Sequence, residues 1–266
     1  MEAKKQEVIE HAPGSFCWVE LGTSDAAASK KFYSAIFGWT MEDEQVAPDC
    51  VYTKLQIGGK DVGALYQLNE EMKAQGIPPN WGLYVAVTNV DETAKQVTAL
   101  GGKVVMEPFD VMDVGRMAIL QDPTGATLSL WQARKHIGSQ VVNQPGTLCW
   151  SELATTNAET AGAFLSKLFG WSLKAGDVAG FTYTEFINQG TPIGGMMQMT
   201  AEWGGVPPYW MPYFAVEDCD AVTEKAKSAG ASIKVPPTDI PNTGRFSVIQ
   251  DPQGAGFAII KLTHHA

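Results

Sequence analysis

The chain contains the same sequence block twice, and this duplication limits its possible folds more than any other feature. Residues 13–39 and 145–171 are identical at thirteen of twenty-seven positions, at a spacing of 132. A second block, GRMAILQDPTG at 115–125, returns as GRFSVIQDPQG at 244–254, at a spacing of 129. Solenoid repeats are about 20 to 50 residues long, whereas each copy here has the size of a small domain. We therefore predict two domains of one fold in tandem.

The repeat also predicts where the domains begin and end. We expect an N-terminal tail over residues 1–12, a first domain over 13–132, a linker over 133–144 and a second domain over 145–263. The length of 266 residues fits two domains. A content of 45% hydrophobic residues is enough to fill two ordinary cores.

Within each copy, the order of strands and helices is itself repeated. Residues 16–23 alternate in polarity and predict a strand. Cys17 and Leu21 would lie on one face of it and Trp18 on the other. A capped helix and a hairpin follow, and the same order returns between residues 82 and 131. Each copy is therefore expected to hold two βαβββ units, whose sheet would leave one face free of helices and form a cleft.

Composition and charge argue against several classes of function. The formal net charge of −10 disfavours a nucleic-acid partner, which would need a basic surface. No apolar run is long enough to cross a membrane, and the N-terminal segment lacks the apolar stretch of a signal peptide. We therefore expect a cytoplasmic protein, a monomer or a homodimer, with neither a membrane nor a nucleic-acid partner. Cys17 and Cys149 fall at equivalent strand positions and are expected to be buried reduced thiols.

Long motifs in both copies resemble those of the vicinal oxygen chelate superfamily, which includes glyoxalases, bleomycin-resistance proteins and extradiol dioxygenases. In the first copy they are FYSAIFGW at 32–39, YVAVTNVDETAKQVTALGGKV at 84–104 and GRMAILQDPTGATLSLWQ at 115–132. The resemblance implies an α+β fold with tandem glyoxalase-like domains. Each domain would use its two βαβββ units to form a curled eight-stranded sheet around a cleft.

The resemblance also implies where a divalent metal would bind, and the residues at those positions do not suit one. Metal-dependent members use His and Glu ligands from the strands that line the cleft. The aligned positions hold Trp18, Gly63, Gly82 and Ser129 in the first copy, and Trp150, Gly194, Met211 and Ala258 in the second. Divalent cations prefer imidazole or carboxylate ligands. The histidines, which are His11, His136, His264 and His265, fall in tails or the linker. We therefore expect no cofactor and no divalent metal.

Two glutamates lie two residues beyond the first of these positions, so Glu20 and Glu152 would face the cleft. Each could act as an acid or base catalyst, orient a ligand donor, or hold a metal weakly. The structural alternative is an ion pair with Arg116 or Arg245, or contact with water, since a buried unpaired carboxylate is costly.

The two arginines have alternatives of their own. Arg116 and Arg245 could bind a carboxylate or phosphate of a ligand in two-point geometry. They could equally pair with Asp122 and Asp251 in the adjoining turns, and we expect this local pairing.

Aromatic side chains are expected on the same face as the glutamates, and such walls suit flat organic ligands. The predicted ligand-binding residues are Trp18, Tyr84, Arg116, Ser129, Trp131, Trp150, Met211, Tyr213 and Arg245. The alternative is that side chains simply fill both clefts. Ile260 stands where the first copy has Trp131, so the first domain is expected to be the better site.

Two hypotheses about function follow. The first is a binding protein that holds a small, partly aromatic organic molecule in a metal-free cleft. The second is an enzyme of this superfamily, a lyase, isomerase or oxygenase, with Glu20 or Glu152 as its acid or base.

Overall fold

The computed structural model describes residues 7–48, 50–178 and 181–263. Their strands form two eight-stranded mixed sheets, one from each sequence copy. The first sheet and its helices comprise β1 (Phe16–Thr23), α1 (Ala26–Phe37), β2 (Thr40–Ala47), β3 (Cys50–Ile57), β4 (Lys60–Gln67), α2 (Glu70–Ala74), β5 (Asn80–Ala86), α3 (Val90–Ala99), β6 (Lys103–Val111), β7 (Gly115–Gln121) and β8 (Thr127–Ala133).

The second copy repeats this order. Its elements are β9 (Leu148–Thr155), α4 (Ala158–Phe169), β10 (Ser172–Val178), β11 (Phe181–Asn188), β12 (Thr191–Gln198), β13 (Tyr209–Ala215), α5 (Cys219–Ser228), β14 (Ser232–Ile240), β15 (Gly244–Gln250) and β16 (Gly256–Leu262). The strand orders β2-β3-β4-β1-β5-β8-β7-β6 and β10-β11-β12-β9-β13-β16-β15-β14 are equivalent. The prediction of an α+β fold built from tandem pairs of βαβββ units is confirmed.

Each sheet joins its two units through the first strands of both. β1 pairs with β5 in antiparallel and with β4 in parallel orientation, and β9 pairs with β13 and β12 in the same way. The helix after β1 begins and ends as its sequence predicts, because Asp25 caps it through Ala28 N and Gly38 ends it at a φ of 72°. The edge strand β2 is mostly exposed, and the sequence pattern did not identify it.

One prediction about β1 is wrong. The strand has a bulge between Phe16 and Trp18 in its pairing with β5, and the bulge interrupts the alternation of side chains. Cys17 therefore lies with Trp18 in a small buried cluster, whereas Phe16 joins Leu21 in the main core. The four cysteines are free thiols, as predicted for Cys17 and Cys149.

The helix-bearing faces of the two sheets pack against each other. One continuous core cluster contains Leu21 and Leu130 from the first sheet and Leu153 and Ile259 from the second. The helices lie within this interface, where α1 contacts α5 and α3 contacts α4. The main core is therefore shared, because apolar side chains of both copies contribute to it.

Two tryptophans connect the domains reciprocally. The indole of Trp39 donates to the backbone oxygen of Gly146 at 2.8 Å, and the indole of Trp171 donates to that of Gly14, also at 2.8 Å. Both tryptophans are 2% exposed. The two ends of the duplicated 27-residue block, Pro-Gly and Gly-Trp, thus meet across the interface.

A second pair of interdomain positions breaks this symmetry. The Tyr33 hydroxyl donates to Asp251 Oδ2 at 2.9 Å and accepts from the Trp81 indole at 3.0 Å. In the second copy, the position equivalent to Tyr33 at a spacing of 132 is Leu165. The equivalent polar atoms, Asp122 Oδ2 and Trp210 Nε1, are buried without a hydrogen-bond partner among the residues described.

Candidate ligand-binding site on the free sheet faces

The face of each sheet that carries no helices, here called the free face, holds a carboxylate bound by two tyrosines. In the first domain, Glu20 Oε1 accepts from the Tyr84 hydroxyl at 2.6 Å and Glu20 Oε2 accepts from the Tyr52 hydroxyl at 2.9 Å. The Trp18 indole donates to the Tyr52 oxygen at 2.9 Å. Strand alternation brings Trp18 and Glu20 to one face of β1, while Tyr52 and Tyr84 arrive from β3 and β5.

The second domain repeats this network. Glu152 Oε1 accepts from Tyr213 at 2.8 Å and Glu152 Oε2 accepts from Tyr183 at 3.0 Å. The Trp150 indole donates to the Tyr183 oxygen at 2.8 Å. Four side chains therefore recur with the same partners on both free faces.

The tryptophans fix the direction of these hydrogen bonds. An indole N–H can only donate, so the oxygens of Tyr52 and Tyr183 act as its acceptors. Each of these hydroxyls then has its proton available for a glutamate. The result is a polarised chain from indole to phenol to carboxylate, which presents the carboxylate as an acceptor.

Burial controls the acidity of the two glutamates. It raises the pKa of Glu20 and Glu152 above the ordinary value of a glutamate, and the tyrosine hydrogen bonds partly oppose this rise. Burial and the neighbouring glutamate also raise the pKa of Tyr84 and Tyr213 well above the ordinary tyrosine value. The tyrosines therefore stay neutral donors, while each glutamate can take up a proton more readily than a solvated carboxylate.

A group whose pKa is raised on folding makes stability fall as pH increases, because the folded state holds more protons than the unfolded chain. We expect stability to decline from about pH 4.3, the ordinary glutamate pKa, up to the raised pKa of the folded protein. In the double variant Glu20→Gln, Glu152→Gln this decline should be shallower, since neither amide titrates. Urea unfolding midpoints measured between about pH 4.5 and 8 test this. Identical pH profiles for the two proteins would contradict the assignment.

The structure does not bring the two arginines to the free faces. Arg116 binds Asp91 at 2.7 Å and Asp110 at 2.9 Å, and Arg245 binds Asp220 at 2.7 Å and Asp239 at 3.0 Å. Arg116 follows the alternation of the core residues on β7, which places it on the helix-bearing side beside α3.

Three expectations about these arginines are therefore corrected. Neither pairs with the turn aspartate beside it, because Asp122 accepts from backbone amides of its own turn and Asp251 likewise accepts from Ala255 N. Neither reaches a glutamate of the free face. Their predicted contact with a ligand in the cleft would require them to lie on the opposite side of the sheet.

Among the residues described, the free faces offer no set of metal ligands. Of the positions aligned with metal ligands, Gly82 lies opposite Glu20 and Ser129 lies opposite Tyr84. Gly63 and Gly194 were placed on the wrong side, because a side chain at Gly63 would point at Val19 and one at Gly194 at Ser151 and Phe16. In the described parts of the chain, no three His, Cys, Asp or Glu residues lie close enough together to hold a metal ion. His264 and His265 lie outside the described residues.

The aromatic wall of the first domain is largely closed. Trp18, Tyr84 and Trp131 share one buried cluster and are 3%, 4% and 6% exposed. His136 from the linker packs edge-on against Trp18, with ring centroids 4.6 Å apart, and its backbone oxygen accepts from the Trp131 indole at 2.9 Å. Ser129 is buried as well. The linker thus covers the aromatic face on which we had expected a flat ligand.

The second domain leaves more aromatic surface accessible. Tyr213 and Met211 are buried with Ala258 and Ile260. However, four aromatic side chains of the same face are only half-buried, namely Trp150, Tyr183, Tyr209 and Phe246. On the corresponding face of the first domain, Tyr52 and Tyr66 are half-buried. The accessible ring surface therefore favours the second domain for a stacked ligand, contrary to the expected preference for the first.

Sequence analysis missed two members of the network, Tyr52 and Tyr183. They occupy equivalent positions at a spacing of 131, within Val-Tyr-Thr and Thr-Tyr-Thr, on strands β3 and β11. That spacing falls between the 132 and 129 of the two duplicated blocks. A search for tyrosines repeated at these spacings would have found them.

Comparisons with known proteins give a consistent result. The model of the Glyoxalase/Bleomycin resistance protein/Dioxygenase superfamily matches residues 15–130 and again 140–259. The Mycobacterium tuberculosis protein named "Putative glyoxylase CFP32" is 41% identical over 254 residues, covering 95% of this chain and 96% of that protein. The anthracycline biosynthesis protein DnrV of Streptomyces peucetius is 34% identical over 261 residues, covering 94% of each.

Solved structures with the same fold are more distant in sequence. The Mn(II)-bound glyoxalase from Novosphingobium aromaticivorans superposes with a TM-score of 0.61 at 16% identity, covering 96% of this chain and 86% of that chain. An extradiol ring-cleaving dioxygenase from B. fuscum superposes with a TM-score of 0.66 at 15% identity, covering 98% and 76%. At these identities the likeness concerns the fold alone.

Proposed function

The chain belongs to the Glyoxalase/Bleomycin resistance protein/Dioxygenase superfamily, and from that premise we propose that it binds a small, partly aromatic organic molecule without a metal. The binding site is the free face of the second domain, around Glu152. The partner is a small molecule and not a nucleic acid, given the net charge of −10.

The observation that carries this proposal is the combination of exposed ring surface and a fixed polar group. Trp150, Tyr183, Tyr209 and Phe246 are half-buried on one sheet face, and Tyr213 stacks on Phe246 with ring centroids 6.4 Å apart. The rings offer area for stacking, while Glu152 offers a hydrogen-bond acceptor whose position is set by two tyrosines. Small-molecule sites combine apolar and aromatic walls with a few polar groups in this way.

One relative supports an aromatic ligand. DnrV carries the name of an anthracycline biosynthesis protein, and an anthracycline is a planar polycyclic compound. Such a compound matches a wall of tryptophan, tyrosine and phenylalanine better than a small aliphatic substrate does.

A resident divalent metal does not fit the donor set. The tyrosine network of each free face holds one carboxylate, and both of its oxygens already accept a tyrosine hydroxyl. The aligned ligand positions hold Trp, Gly, Ser, Met and Ala, which provide no imidazole or second carboxylate. We accordingly propose that the protein works without a divalent cofactor.

One observation favours acid–base catalysis as a second candidate function. Burial raises the pKa of Glu20 and Glu152, which makes each a stronger proton acceptor than a solvated carboxylate. The neighbouring tyrosines could donate to an oxygen of a bound substrate. In this case Glu20 or Glu152 would accept a proton from the substrate and return it at another atom, as in a lyase or isomerase.

Trp150→Ala should weaken a retained ligand by about 1 to 3 kcal/mol, the value of burying one large side chain. Trp18→Ala is the matched control in the closed first domain. The Trp18 indole donates to Tyr52 there as the Trp150 indole donates to Tyr183 in the second domain. The ligand would be released from purified protein by denaturation, identified by mass spectrometry and titrated into both variants by calorimetry. A larger loss in Trp18→Ala would place the site in the first domain, and no loss in either would assign both tryptophans to the core.

A further inference from the structure

We infer that the free face of the second domain selects organic cations, so that its ligand is a planar aromatic compound carrying a protonated amine. This inference rests on the proposed function, because it assumes that a small molecule binds there. It adds the charge of the ligand and the residue that recognises that charge.

Glu152 has no positively charged partner in the part of the chain that the structure describes. Its polar contacts are with Tyr183 and Tyr213. An ionised carboxylate accepts about four hydrogen bonds, so accepting capacity remains. Since the side chain keeps some solvent exposure, a ligand can reach it.

The direction of the hydrogen bonds favours negative charge on Glu152. Trp150 donates to Tyr183, so the proton of Tyr183 is directed to Glu152. The network therefore stabilises negative charge on the carboxylate and supplies no positive charge to compensate it. A ligand that brings an ammonium group would provide that compensation and donate N–H groups to the remaining lone pairs.

The aromatic rings near Glu152 also favour a cation. The faces of tryptophan and tyrosine rings attract cations, and Trp150, Tyr183 and Tyr209 are half-buried on this sheet face. Burial, together with the charge of Glu152, raises the pKa of Tyr209. A carboxylate beside exposed ring faces is a suitable site for an aromatic ammonium compound.

The first domain differs from the second at one charged position near the tyrosine network. Two residues after Tyr52, on the same face of β3, stands Lys54, which pairs with Glu44. The equivalent residue in the second domain is Glu185, which pairs with the mostly exposed Lys174 at 3.0 Å. At this position the first face carries the cation of an ion pair and the second carries the anion of one, which makes the second face the better match for a positive ligand.

Three probes with one ring system separate charge from stacking, namely 1-naphthylmethylammonium, 1-naphthylmethanol and 1-naphthoate. At about pH 7.5 they carry charges of about +1, 0 and −1. We expect the full-length protein to bind the ammonium probe about tenfold more tightly than the alcohol, and naphthoate most weakly, as judged from a charge pair in a partly screened site. Calorimetry measures the three dissociation constants.

Glu152→Gln should abolish the preference for the ammonium probe, because the amide keeps the shape but not the charge. Glu20→Gln is the matched control in the first domain and should keep the preference. Circular dichroism and the urea unfolding midpoint verify that both variants are folded. If the preference is lost in Glu20→Gln instead, the assignment to the second domain is overturned.

Two further results would be decisive. Equal affinities for the three probes, or tightest binding of naphthoate, would overturn the inference about charge and leave the proposed aromatic binding standing. Failure of every probe to bind the wild-type protein at millimolar concentration would overturn the proposed function together with the inference.

Discussion

Replacing Trp39 or Trp171 with alanine should lower the free energy of unfolding by about 3 to 5 kcal/mol, the usual range for truncating a buried tryptophan. Trp39 packs against Phe214 of the other domain with ring centroids 5.5 Å apart. Trp171 packs against Phe16 of the other domain, also with ring centroids 5.5 Å apart. Each variant would leave a cavity within the shared core and would also remove a hydrogen bond that crosses the interface. Urea unfolding followed by far-ultraviolet circular dichroism gives the values.

The matched control is Trp203→Ala. Trp203 is only partly buried in a short 3-10 turn, and its loss should cost about 1 kcal/mol or less. A Trp39→Phe variant keeps part of the ring packing and loses the hydrogen bond to Gly146 O, with an expected cost of about 1 to 3 kcal/mol. If Trp203→Ala proved as destabilising as Trp39→Ala, the special place of the interface tryptophans would be refuted.

Tyr33→Phe should lower the free energy of unfolding by about 2 to 4 kcal/mol, because it deprives two buried groups of their partner at about 1 to 3 kcal/mol each. These groups are Asp251 Oδ2 and Trp81 Nε1. Tyr33 itself is fully buried, so water cannot simply replace the hydroxyl. The packing of the ring stays unchanged, which isolates the polar contribution. The measurement is again urea unfolding at a pH where Asp251 is ionised in the unfolded chain.

The second copy allows the converse experiment. Leu165→Tyr would place a hydroxyl at the position equivalent to Tyr33, next to the unpartnered Asp122 Oδ2 and Trp210 Nε1. Leu165→Phe is the control, since it has the same bulk without the hydroxyl. We expect the tyrosine variant to be more stable than the phenylalanine variant by about 1 to 3 kcal/mol, whatever cost the larger ring brings to both. A phenylalanine variant of equal or greater stability would show that the two halves of the interface are not equivalent there.

Alternation along the strands allowed much of the site to be predicted. It placed Trp18, Glu20 and Tyr84 on one face, and the structure brings them into contact. It could not supply Tyr52, because the register between β1 and a strand from another part of the unit has no signature in either strand alone. It also gave Cys17 the wrong side, since a bulge adds a residue at a point that the pairing of two strands decides.

The errors about the arginines have a related cause. Arg116 has several aspartates within reach along the sequence, and a short sequence separation suggested Asp122. The turn around Asp122 satisfies that carboxylate with its own amides, and β7 aims Arg116 at α3 and β6 instead. Charge and spacing therefore defined the possible partners, whereas backbone geometry selected among them.

The duplication, the two βαβββ units in each copy and the apolar side of each regular strand follow from the sequence alone. These properties depend on residues near one another in the chain, and they recur in both copies. Three-dimensional packing was needed to reveal that the helix faces share one core, that His136 covers the first aromatic face, and that Tyr33 reaches Asp251, 218 residues away. Such contacts form because two apolar faces lower their exposed area by packing together, and the sequence of one face does not specify which other face will cover it.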